Sequence, residues 1–97
     1  MMRVRLTSAA EAELDDAVAW YGGIREGLAA RFLDEFERLL ERLRDNPHQF
    51  PCVRRDIRRV GFRRFPYGLV FRILPGEVEI VACFHDRRDP HQWQQRT

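Results

Sequence analysis

Four residues of the C-terminal half hold the side chains best able to move a proton or attack an electrophile: Cys52, Cys83, His85 and His91. His85 has three possible roles. It can act as a general acid or base near neutrality, sit at a strand end as a structural hydrogen-bonding group, or contact a partner. Zinc would need convergent ligands, and neither CxxC nor HxxxH spacing is present, so no metal and no cofactor are expected. Asp15 and Asp16 are adjacent, diverge by about 100° on a helix, and cannot share a proton. There is no Ser-His-Asp order, phosphate loop or EF-hand. What remains is arginine. All 17 basic positions are Arg and none is Lys. Residues 51–97 carry ten Arg against five acids, whereas residues 1–50 carry seven against ten. Arginine's planar fork suits carboxylates and phosphates, so this asymmetry points to an acidic partner, protein or nucleic acid. Arg58-Arg59 and Arg63-Arg64 should straddle strands, one member of each pair facing the open side. Arg87-Arg88-Asp89 reads as a charged turn or a contact site. Trp93 and Pro90 read as a tail packed back on the sheet, and Trp20-Tyr21 as core plus rim.

These groups need elements to position them. Residues 2–6 alternate and predict a short strand. Ser8 and Glu11 have capping-box spacing, opening a helix over about 9–21 that Gly22-Gly23 should end. A second helix over about 25–44 carries Leu28, Phe32, Leu33, Phe36, Leu39, Leu40 and Leu43 on one stripe, with Asp34 and Arg38 at i,i+4 on the other side. Beyond Val53 the period becomes two, predicting strands over 57–62, 67–74 and 77–85, with Pro75-Gly76 as a turn. A two-residue loop would set Tyr67, Leu69, Phe71 and Ile73 opposite Phe84, Ala82, Ile80 and Val78. A bulge could shift this register by one. That pairing puts the apolar set under the helices and leaves Arg72, Cys83 and His85 on an open face. The expected fold is α+β, β-α-α-β-β-β, a helical hairpin on one face of a mainly antiparallel four-stranded sheet.

Length bounds the rest. Ninety-seven residues with 44% hydrophobic and 33% charged content suit one globular domain over 1–97. No apolar run approaches the ~20 residues that span a bilayer, and no apolar leader follows Arg3 and Arg5. A cytoplasmic protein without membrane contact is expected, consistent with two cysteines outside any disulfide framework.

At RRFPYGLVFRI (Arg63 to Ile73) and CFHDRRDPHQW (Cys83 to Trp93) the chain resembles the ParE/RelE toxin superfamily. An LT…A…EL…A..WY opening (Leu6 to Tyr21) and an FP…IRR segment (Phe50 to Arg59) extend the resemblance over nearly the whole chain. It implies the toxin of a bacterial type II toxin–antitoxin module, of the kind that stabilises plasmids. A cognate antitoxin would wrap it, covering the open sheet face and the Arg87-Arg88 region with an acidic, partly apolar segment. ParE-like members inhibit DNA gyrase, and RelE-like members cleave messenger RNA on the ribosome. The ribonuclease pattern puts basic residues near Arg59 and Gly61, an arginine at Gly68, an arginine at Arg87 and a tyrosine at Trp93. Only Arg59 and Arg87 fill those places, and an indole cannot exchange a proton as a phenol can. The resemblance therefore implies a gyrase inhibitor contacting partners through Arg58, Arg72, His85, Arg87, Arg88 and Trp93. Its alternatives are a metal-independent endoribonuclease using His85, Arg87 and Arg59, and an inactive antitoxin-binding module.

Overall fold

The computed structural model describes residues 2–97. Strand β1 (Arg3–Leu6) leads into α1 (Ser8–Ile24) and α2 (Leu28–Asp45). After a short turn of helix at Pro47–Gln49 come β2 (Cys52–Arg54), β3 (Ile57–Gly61), β4 (Tyr67–Leu74), β5 (Glu77–His85) and the short α3 (His91–Gln94). The sheet order is β1-β5-β4-β3-β2, with β1 parallel to β5 and every other pair antiparallel. The class is α+β as expected, with five strands rather than four. β2 escapes sequence reading because its three residues are all exposed and show no alternation. Its return turn uses Arg55 at φ 53° instead of a glycine.

The cap of α1 is Thr7, not Ser8: its hydroxyl accepts from the Ala10 N–H at 3.2 Å. The helix also runs through Gly22-Gly23. Neither glycine adopts a positive φ, and Gly22 instead lies against α2, where a Cβ would stand 3.8 Å from that of Ala29. The reversal falls at Gly27, φ 87°, so α2 starts at Leu28 rather than near Arg25. Phe32, Phe36, Leu39, Leu40 and Leu43 then turn their stripe to the sheet and are buried. There they meet Leu69, Phe71, Val78 and Ile80. An aromatic knot closes one end of this core, with Phe32 stacked 4.6 Å from Phe62 and crossed edge-on by Phe65 and Tyr67 at 5.1 and 5.3 Å.

From the Pro75-Gly76 turn the β4–β5 register follows the expected pairing as far as Phe71 opposite Ile80. Val81 is then extra, so Val70 faces Ala82, Leu69 faces Cys83 and Tyr67 faces His85. A bulge of this kind flips every later side chain to the other face. Cys83 therefore joins the core beneath the helices and is 1% exposed, instead of lying open beside Arg72. Ala82 and Phe84 move to the second face, where Val81 stays. That face is not open either: Trp93 of α3, 5% exposed, seals Ile57, Val70, Val81, Ala82 and Phe84 into a separate apolar cluster. Arg63 and Arg64 lie in the β3–β4 loop rather than straddling a strand.

Candidate functional site

β1 accompanies β5 only along Glu77–Ile80. Past the bulge, the free edge of β5 is held by side chains. Glu13 of α1 accepts from the Cys83 N–H at 3.2 Å. Arg96 bridges back to both Glu13 oxygens, at 2.9 and 3.0 Å, and to the Val81 carbonyl at 3.0 Å. Beside this clamp a groove of about 470 Å³ opens between α1 and the ends of β4 and β5. Its walls are Glu13, Asp16, Ala17, Trp20, Tyr67, His85 and Arg88.

The bulge brings His85 here. Its ring meets Tyr67 edge-on at 5.1 Å, and its Nδ1 accepts the Arg87 N–H at 3.1 Å. That bond needs a lone pair on Nδ1, so the neutral ring carries its proton on Nε2. Burial raises the Tyr67 hydroxyl above its ordinary range; the Arg88 cation opposes this, while Cys83 and Asp16 add to it. Burial likewise pushes the Cys83 thiol up to about 12, with Glu13 reinforcing and Arg88 opposing. A thiol so held is an inert packing group and not a nucleophile. Trp20, 65% exposed, stands at the rim. A large exposed indole beside a cation and an imidazole is the kind of group that anchors interfaces.

The other residues singled out from sequence disperse. Arg58 points to the helix side, where its guanidinium donates to the carbonyls of Phe50 and His48 and ties down the turn before β2. Arg72 lies at the opposite end of the β4–β5 hairpin from His85. Its Nε stands 3.4 Å from Glu79, which also pairs with Arg5. Trp93 is core. Arg87 is exposed next to the groove, and Arg88 lines it. On the second face Arg59 lies flat over Gly68, where a Cβ would stand 2.7–2.8 Å from its guanidinium. A cation therefore does occupy the space above residue 68, supplied by the neighbouring strand, and Asp86 pairs with it. Cys52 is exposed on β2 while Cys83 is buried, and among the described residues no three His, Cys, Asp or Glu side chains converge to hold a metal. Sequence reading missed Glu13, Asp16 and Tyr67 as neighbours of His85. The available signal was Glu13, Ala17 and Trp20 at helical spacing, which sets an acid and an indole on one face of α1.

Among curated proteins no similar sequence is found. A solved structure described as the chromosomal ParDE TA system from P. aeruginosa has the same fold. The two share 22% identity at a TM-score of 0.74, over 88% of this chain and 96% of that one. No helix of the described residues is long and apolar enough to cross a membrane. Residues 4–90 match the family described as ParE toxin of type II toxin-antitoxin system, parDE, and the chain belongs to that family.

Proposed function

We propose that this toxin acts in the cytoplasm by binding DNA gyrase, without chemistry of its own, and that a cognate antitoxin neutralises it. The observation that carries the reading is the state of the second sheet face. RNA cleavage without a metal needs free cations for the crowded phosphate and a group to protonate the leaving oxygen. Here the cation over Gly68 is engaged by Asp86, and the residue in the acid's place, Trp93, is locked in an apolar cluster. A protein target makes no such demand. The groove with Trp20, His85 and Arg88 at its edge, and exposed Arg87 beside it, offer apolar area and positive charge together. The same groove suits an acidic, partly apolar antitoxin segment, which could pair its carboxylates with Arg88 and lay apolar side chains on Trp20. The test sets purified toxin against gyrase supercoiling and, in parallel, against messenger RNA on programmed ribosomes. Inhibited supercoiling with intact message is expected. Cleavage in the ribosomal A site that depends on His85 or Arg87 would move the protein to the ribonuclease class, and silence in both assays would leave an antitoxin-binding module.

A further inference from the structure

A second concavity, away from the groove, lies between α2 and the β3–β4 loop and encloses about 570 Å³. Five of its lining residues are arginines: Arg25, Arg31, Arg38, Arg63 and Arg64. Among the described residues none of the five is ion-paired; the pairs present involve Arg5, Arg59, Arg72 and Arg96. Asp34 and Glu35 are the acids of the cleft, and Glu35 is already committed. Its Oε1 accepts the backbone N–H groups of Arg63 at 2.7 Å and of Arg64 at 3.3 Å. Those two bonds fix the loop to α2 and hold both arginines over the cleft. The floor is equally fixed, because Phe65 packs 4.7 Å edge-on to Tyr21.

We infer that this cleft binds a compact ligand carrying two or more phosphate groups. Like charges held around one cavity repel, and a multivalent anion relieves that repulsion while using several forked donors at once. The volume is that of a small-molecule site. The walls are a helix and a loop with no strand edge, so an extended acidic peptide would find no backbone to pair with. The inference is independent of the gyrase reading.

The test is calorimetric titration of the purified full chain with sodium tripolyphosphate at physiological salt, where exposed charge effects are screened. One saturable site per chain is expected. Arg31→Ala combined with Arg63→Ala should weaken it roughly tenfold or more, as loss of charged hydrogen bonds does, with an unchanged melting curve because both side chains are exposed. Arg3→Ala should leave binding as it was. ATP binding as tightly as tripolyphosphate would mean the site reads phosphates alone, and tighter ATP binding that a base also contributes; either upholds it. Absent saturation, indifference to the double substitution, or equal affinity for an acidic peptide or a DNA duplex would overturn it.

Discussion

Replacing Trp93 by alanine separates a structural tryptophan from one that contacts a partner. The indole is 5% exposed, packed among Ile57, Val70, Val81, Ala82 and Phe84. Truncating a buried Trp or Phe costs about 3–5 kcal/mol through lost transfer free energy and the cavity left behind. The tail is otherwise tied down mainly by Arg96, through Glu13 and the Val81 carbonyl. A chain end so lightly tethered can sag into the cavity, so the lower figure applies, about 3 kcal/mol. For a domain of this size each kcal/mol shifts Tm by roughly 4–8 °C, and the melting point should fall by roughly 12–24 °C. Scanning calorimetry or thermal circular dichroism reads this directly. Trp93→Phe keeps most of the apolar contact and should recover more than half of the loss. A Trp93→Ala variant that melts within ~4 °C of the parent, less than about 1 kcal/mol, yet no longer inhibits growth, would refute the argument and make the residue a contact.

The two cysteines should react very differently: exposed Cys52 with a thiol reagent at once at pH 8, buried Cys83 only after unfolding. Because burial raises the folded-state thiol pKa of Cys83 to about 12, its contribution to stability is fully present below pH ~9. That contribution is lost between about 9 and 12, at up to ~1.4 kcal/mol per pH unit, and Cys83→Ala should flatten the alkaline limb of a denaturant titration. Removing the α1 cap with Thr7→Ala should cost about 1 kcal/mol in chemical denaturation, since its hydroxyl also reaches the Val81 carbonyl at 3.4 Å; Ser8→Ala should be near neutral. Elemental analysis of the purified chain should find no stoichiometric zinc, given how far Cys52 and Cys83 differ in setting, and one bound ion per chain would contradict that.

The helical hairpin, the β4–β5 pairing near its turn and the core stripe of α2 were legible because each rests on a periodicity that burial enforces. Gly22-Gly23 misled because glycine is only mildly unfavourable in a helix and both take ordinary negative φ there; the obligatory left-handed turn lay at Gly27. The larger error came from Val81. Nothing in the apolar run around it marks which residue is the extra one, yet that single insertion carries Cys83 into the core and His85 to the α1 side. The site then depends on a contact between distant segments, Glu13 and Trp20 against Tyr67 and His85, which no local pattern records. Arg58 and Arg59 show the same limit: identical neighbours in sequence, one spent on loop carbonyls and one on Asp86.

The central claim, that the toxin works by binding through the α1–β5 groove, is tested most directly by a dose–response in the gyrase supercoiling assay. The wild-type chain is compared with Trp20→Ala and with Arg88→Glu, both changes at exposed positions. Loss of one anchoring aromatic or one well-placed charge at an interface costs about 2 kcal/mol or more, so each variant should need at least roughly tenfold more protein for equal inhibition, with Tm unchanged. Inhibition by both variants at the wild-type concentration would contradict the claim.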